Sequence, residues 1–174
     1  MVRAMKQLLS LVFAVAALHL APVAVSSVRA EPAAGVLDEV PVAPTVKDKA
    51  AAKKLAAKHA LSLQWVETKQ KGAIKIWNDA GYLRLEGEQR DPASGNFVSV
   101  TGWITKIEAK QFTMRGRIVT RTSHIAEGKE CAREGDFTFL IKGGRKFWRL
   151  QEMTNTCDGS GVVDYVDITI AAVK

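Results

Sequence analysis

The chain is poor in the residues that most often carry chemistry. Of its 174 residues, two are cysteine and three are histidine. Two cysteines are too few for a disulfide-dense scaffold, and they lack the grouped spacing of a zinc site. No HExxH, CxxC, Walker or dinucleotide glycine pattern occurs, and residues 158–164 (DGSGVVD) lack the dense acidic register of a calcium loop. Neither a metal nor a cofactor is therefore expected. Asp164 and Asp167 stand three apart, which on a strand places them on opposite faces and removes them as a paired acid and base. An enzyme is not expected.

Long apolar runs are equally scarce. The one that stands out, Leu8 to Leu20, is broken only by Ser10 and His19. It is short for a membrane span of about 20 residues, and Pro22 interrupts the apolar residues beyond it. Arg3 and Lys6 precede it, no acidic residue occurs before Glu31, and Val28 and Ala30 supply small residues at −3 and −1 of a cut before Glu31. Residues 1–30 therefore read as a secretory signal peptide, so the mature chain is expected to be extracytoplasmic (periplasmic or secreted) and not an integral membrane protein.

That reading changes the charge argument. The whole chain has 25 Lys+Arg against 18 Asp+Glu, a net charge of +7 that suggests an anionic partner. Arg3, Lys6 and Arg29 leave with the signal, so 22 basic residues face 18 acidic ones and the net falls to +4. The remaining charge is dispersed, and nucleic acid is not expected as a partner. With 47% hydrophobic and 25% charged residues, the composition is that of a folded domain rather than a disordered one.

Residues 31–61 form an arm. Pro32, Pro41 and Pro44 lie in an Ala/Val-rich stretch without aromatic residues, an extended linker. The Lys/Ala run from Lys47 to His59 has high helix propensity, but Leu55 and Leu61 are the only large apolar side chains near it, so the helix is weak. Residues 62–174 then change texture. Leu83 and Leu85 alternate with Arg84, Glu86 and Glu88. Val98, Val100 and Ile104 alternate with Ser99, Thr101 and Trp103. Phe112, Met114 and Ile118 alternate with Thr113, Arg115, Arg117 and Arg121. Period two with one polar face predicts antiparallel strands over one core.

Eight strands are expected near 62–69, 73–79, 82–90, 97–106, 110–122, 136–142, 145–153 and 163–170. Turn residues such as Asn78–Gly81, Asp91–Asn96 and Gly143–Gly144 separate them. Short-linked strands in this number favour an all-β, up-and-down antiparallel barrel of lipocalin-like or calycin-like architecture, which leaves no exposed edge. A β-sandwich is the alternative. The two long connections each hold a cysteine, Cys131 before the sixth strand and Cys157 before the eighth. In a meander barrel those loops leave from the same end, so a Cys131–Cys157 disulfide is expected in preference to a free nucleophilic pair.

Candidate contact residues are few. Arg115, Arg117 and Arg121 line one face of a strand, where they would pair with carboxylates on neighbouring strands or dock an acidic group. Residues 145–153 carry bulk on both faces, with Trp148 and Arg149 as candidate contacts beside Trp103; burial of this strand under the arm is the simpler account. His124, the one histidine expected within the barrel, reads as a loop polar residue, since no nucleophile elbow accompanies it.

In strand count and cysteine pair, residues 62–170 resemble two groups in architecture. One is the lipocalin-like calycins, which hold an apolar ligand; the other is the bacterial periplasmic barrels that inhibit lysozymes or proteases. The Gly-x-Trp signature of lipocalins is absent from the amino terminus of the domain, and Gly102-Trp103 lies mid-domain. Two functions are expected on these grounds. The first is an exported, monomeric, noncatalytic protein holding a small apolar or amphipathic ligand inside the barrel. The alternative is a module binding an envelope or extracellular protein, as an enzyme inhibitor does, through the disulfide-stapled loops.

Overall fold

A computed structural model describes residues 35–170; the expected signal segment 1–30 lies outside them. Among the described residues a single 3-10 turn (Val36–Asp38) comes first, followed by two short elements, strand β1 (Thr45–Val46) and helix α1 (Lys49–Leu55). Asp48 caps the helix by accepting a hydrogen bond from the Ala51 amide at 2.8 Å. Leu55 is its one buried residue. With a single large apolar anchor the helix lasts seven residues and gives way at Ala56.

The remaining eight strands are β2 (Lys58–Leu63), β3 (Gly72–Asp79), β4 (Tyr82–Arg90), β5 (Phe97–Ile107), β6 (Gln111–Arg121), β7 (Glu130–Leu140), β8 (Phe147–Leu150) and β9 (Val166–Thr169). Each pairs antiparallel with the next, and β9 returns to pair with β2, with Leu61 opposite Ile168. The sheet is therefore a closed eight-stranded meander barrel, and the sandwich alternative falls away. β5 runs past its last β4 partner at Ile104, and β1 pairs parallel with the overhang at Lys106 and Ile107.

Three boundaries differ from the periodicity, each for a physical reason. The first barrel strand starts at Lys58 rather than near 62, because His59 shares the inward face with Leu61 and Leu63. Strand β7 starts at Glu130 rather than 136. Its inward row is Cys131, Arg133, Phe137 and Phe139, and an inward arginine conceals the alternation. Cys131 thus lies in a strand and not in the preceding loop. The final strands β8 and β9 are shorter than expected, since residues 151–165 form one long connection with only the isolated Thr154–Val163 bridge.

The interior is filled with side chains. Leu61, Ile74, Val98, Val100, Ile104, Met114, Ile118, Phe139, Leu150, Val166 and Ile168 have no exposure, and burial of each large one stabilises the barrel by about 1.5–3 kcal/mol. Phe112 stacks on Phe139 at 5.1 Å and meets Trp148 edge-on at 5.7 Å. Gly102, Gly116 and Gly135 lie side by side across β5, β6 and β7. A Cβ on Gly116 would come within 2.2 Å of the Thr101 carbonyl oxygen, so only glycine fits this close approach.

The outward face is charged. One row across five strands reads Lys75, Glu86, Thr101, Arg117 and Glu134. This is the reverse of the apolar outer band of a lipid-facing barrel. Among the described residues, no helix is long and apolar enough to cross a membrane.

The two ends of the barrel are unequal. One end has the tight turns 80–81 and 108–110, the 141–146 connection and α1, whose Leu55, Ala51 and Ala52 pack against the core. The long connections 64–71, 91–96, 122–129 and 151–165 all emerge at the other. Loops of this kind on a rigid scaffold are where binding residues concentrate.

Candidate functional site

The long-loop end is built on a polar floor. Going up the barrel from the apolar core, the inward positions become Gln89, Thr120 and Arg133, joined by Asp164 from the 151–165 connection. Asp164 is fully buried, and its Oδ2 accepts from Thr120 Oγ1 at 3.1 Å, Asn155 Nδ2 at 3.1 Å and Arg133 Nη2 at 3.4 Å. Its Oδ1 makes no hydrogen bond among the described residues, and the Trp65 indole N–H donates to the Val163 carbonyl at 3.3 Å. Arg133 Nη1 also donates to the carbonyls of Glu152 (2.6 Å) and Thr154 (3.1 Å). Burial raises the Asp164 pKa and lowers that of Arg133, while their mutual attraction opposes both shifts. The pair thereby holds the last loop to the inside of β7.

The other loops are pinned by buried amides. Gln89 accepts from the Leu63 amide at 2.8 Å and donates to the Gln70 carbonyl at 3.4 Å, fixing both ends of loop 64–71. Asn96 accepts from the Ser123 amide at 2.9 Å and donates to the Trp65 carbonyl at 3.4 Å, tying three loops together. Gln64, on the surface, donates to the Val163 carbonyl (2.7 Å) and accepts from the Tyr165 amide (2.6 Å), and the Ala126 amide donates to Asp158 at 2.9 Å. The Cys131–Cys157 disulfide, with Cα atoms 5.7 Å apart, joins the base of β7 to the same loop. Cys131 is buried and Cys157 is exposed.

Two concavities sit on this rim. One of about 360 Å³ is lined by Ala126, Glu127, Lys129, Glu130, Cys157 and Asp158. Ala126 (φ 48°) and Glu127 (φ 57°) are adjacent non-glycine residues in the left-handed region, a conformation that persists only where its surroundings impose it. The second, of about 210 Å³, is lined by Trp65, Glu67, Asp91, Ser94, Asn96, Ser123 and His124. Here His124 meets Trp65 edge-on at 5.4 Å. The Ser94 hydroxyl donates to Asp91 at 2.6 Å instead of to the imidazole, and His124 makes no hydrogen bond among the described residues. Ser94 and His124 are therefore not joined as a hydrogen-bonded nucleophile and base. Among the described residues, no group of three His, Cys, Asp or Glu could hold a metal ion.

The residues singled out from the sequence do not form one site. Arg115, Arg117 and Arg121 face outward along β6. Arg115 makes a bidentate pair with Glu39 of the arm (both 2.6 Å) and reaches Asp136 at 3.4 Å. Arg117 pairs with Glu134 at 3.5 Å, and Arg121 donates to the Ser94 and Gly95 carbonyls. Glu134 and Asp136 are the carboxylates directly opposite on the neighbouring strand, as expected, while Glu39 comes from the arm. Trp103 faces outward beside Arg115 yet is only 2% exposed.

Trp148 is not covered by the arm. It points into the barrel, edge-on to His59 at 5.4 Å, while the arm lies against β5 and β6 on another wall. Arg149 faces outward, bidentate to Asp167 (both 2.7 Å) and 4.3 Å from the Tyr165 ring centroid. His59, expected in the arm, is 3% exposed inside the barrel and its Nε2–H donates to the Leu55 carbonyl at 2.9 Å. The floor itself, Gln89, Arg133, Asn155 and Asp164, escapes a reading based on apolar alternation. Its one signal in the sequence is the run of polar residues at inward register.

Comparison with known proteins adds a family. The profile of the PM1083 family matches residues 43–170, which takes in β1 to β9. A relative from Pasteurella multocida (strain Pm70), named Uncharacterized protein PM1083, is 42% identical over 115 residues, covering 66% of this chain and 72% of the relative. The barrel with its disulfide-tied rim therefore belongs to the PM1083 family.

Proposed function

We propose that this chain is an exported, noncatalytic binding module that engages an envelope or extracellular protein through its long-loop rim. One observation carries the reading: four long loops leave the same end of a filled barrel and are tied together from beneath by buried polar side chains. Such preorganisation removes the loop-ordering cost that a flexible rim would pay on association. The disulfide and the signal-like residues 1–30 support export.

Carriage of an apolar ligand inside the barrel has less support. The interior positions are taken by Trp148, Phe112, Phe139 and Met114, and the concavities described on this chain open outward. A carrier would need several hundred Å³ within the barrel.

The test is affinity capture from the producing cell's envelope and from foreign secretions, using the wild-type chain, Lys129→Glu and Ser123→Trp on the rim, and Arg117→Glu on the wall. A specific partner should be retained by the wild type and by Arg117→Glu. The rim variants should weaken it by about thirtyfold, the effect of losing one contact worth about 2 kcal/mol. A partner held equally by all four proteins would overturn the rim as the binding surface.

A further inference from the structure

A concavity of about 510 Å³ lies away from the rim, on the outer wall formed by β3, β4 and β5. Capture of a protein at the rim makes no use of it. Its lining comes from direct cross-strand neighbours: Lys75, Glu86 and Thr101 in one row, Glu88 and Ser99 in the next, with Trp77 alongside. Gly87 contributes bare backbone to its floor.

The polar groups here are open to solvent, and most have no partner among the described residues: Lys75 and Glu86 are exposed, Ser99 and Thr101 half-buried. Lys75 and Glu86 face each other across the ladder, where an ion pair would be the ordinary outcome. Lys75 instead places its ammonium over the Trp77 ring, 5.1 Å from the centroid. Among the described residues, Glu86 has no ion pair, and the hydroxyls of Ser99 and Thr101 make no hydrogen bond. Glu88 is different, since both its oxygens are taken by Arg90 at 2.8 and 3.0 Å. The wall thus offers a half-buried indole, a free carboxylate and two hydroxyls, and its charges cancel.

Each alternative ligand class lacks something it needs. Nucleic acid requires an excess of positive charge, and Lys75 is offset by Glu86. A peptide adding as a strand requires a free sheet edge, which β3 and β4 lack inside a closed barrel. A lipid requires an apolar patch. A neutral, hydroxyl-rich ligand would meet all the features together: its hydroxyls would donate to Glu86 and exchange bonds with Ser99 and Thr101, and its C–H face would replace the exposed Lys75 ammonium over Trp77.

We infer that the β3–β5 wall is a binding site for a neutral oligosaccharide, with Trp77 as platform and Glu86 as principal acceptor. The test is calorimetric titration and ¹H–¹⁵N NMR of the full chain with maltoheptaose, cellohexaose and chitohexaose. One of these should give saturable shifts confined to the Trp77 indole N–H and the amides around Ser99 and Thr101. Trp77→Ala and Glu86→Gln should each weaken that binding by about tenfold or more, with Lys110→Gln in the opposite turn unchanged. Glu86→Gln is isosteric and outward-facing, so it keeps the test open even where Trp77→Ala impairs folding. No saturable shift with any of the three up to about 10 mM, a weaker affinity than small polar sites commonly show, would overturn the inference. So would shifts that map elsewhere, displacement by a peptide mixture instead, or undiminished binding in Glu86→Gln. Loss of partner capture at the rim would leave this result unaffected, so the two readings fail separately.

Discussion

Replacing Arg133 by Met keeps a straight chain of similar reach and removes the charge beneath the rim. In the wild type, Arg133 is 8% exposed and Asp164 not at all, so the substitution strands a carboxylate where water cannot reach it. Protonation caps the penalty. Neutralising a carboxyl of ordinary pKa near 3.9 at pH 7 costs about 4 kcal/mol, at about 1.4 kcal/mol per unit. The carbonyls of Glu152 and Thr154 lose their donor as well, at about 1 kcal/mol each if they stay dry, while Thr120 and Asn155 continue to support Oδ2. The expected loss is about 3–5 kcal/mol, the range for buried pairs broken on one side. Urea unfolding followed by tryptophan fluorescence would read it as a lower midpoint at constant slope. Two further outcomes are required. The stranded Asp164 has a folded pKa above its unfolded value, so the folded variant takes up the proton first and its deficit relative to wild type shrinks as pH falls from 7 toward 4. Adding Asp164→Asn should recover about 2 kcal/mol or more, because no charge is then left unpaired. A deficit under about 1 kcal/mol, or one that grows on acidification, would refute the account of the floor.

Other predictions test separate parts of the fold. The Cys131→Ser/Cys157→Ser variant opens a loop of sequence separation 26, which the chain-entropy relation values at about 3.5 kcal/mol. Its amide exchange should rise in 122–129 and 151–165 before it rises in β3–β5. Burial holds the His59 pKa below the ordinary histidine value, so the unfolded chain protonates first on acidification. Stability from the neutral ring is complete above about pH 6.5 and is lost as pH falls through the folded pKa, a slope that His59→Gln should flatten in pH-dependent melts. Gly116→Ala brings a Cβ to 2.2 Å from the Thr101 oxygen and 2.7 Å from the Gly102 Cα, backbone atoms that cannot retreat cheaply. Calorimetry should show a loss of about 3 kcal/mol or more, the upper end of overpacking costs, and a normal melting temperature would contradict the close approach.

The barrel is legible in the sequence where period two is clean. In β4, β5 and β6 every inward side chain is apolar or glycine until Gln89 and Thr120, so the pattern alone separates Leu83 and Leu85 from Arg84 and Glu86. It fails where an inward position is polar. His59 and Arg133 interrupt their rows, and alternation misplaces the strand starts at those residues. Trp148 is ambiguous because Phe147 and Arg149 on its strand are also bulky. Which face points inward depends on the register with β9, where Trp148 sits opposite the core residue Ile168. The arginine row predicts carboxylate partners, but Glu39 comes from 76 residues away and no adjacency rule could supply it.

The rim is the least legible part for a related reason. Most of its ties join residues far apart in sequence, such as Asn96 to Ser123 and Trp65, or Gln64 to Val163. A single Gln or Asn carries no periodicity, so its role is set only once closure of the barrel brings the loops together. The same closure separates the two proposed surfaces mechanically. The floor works through β7 and the 151–165 connection, whereas the wall depends on the register of Lys75, Glu86 and Thr101 across β3, β4 and β5. Arg133 and those wall residues share no partner, and substitutions without shared partners behave additively. A floor variant that remains folded should therefore loosen the rim and leave oligosaccharide binding at the wall intact. Loss of both together would mean that the barrel transmits strain between its walls, and the two surfaces would have to be treated as one site.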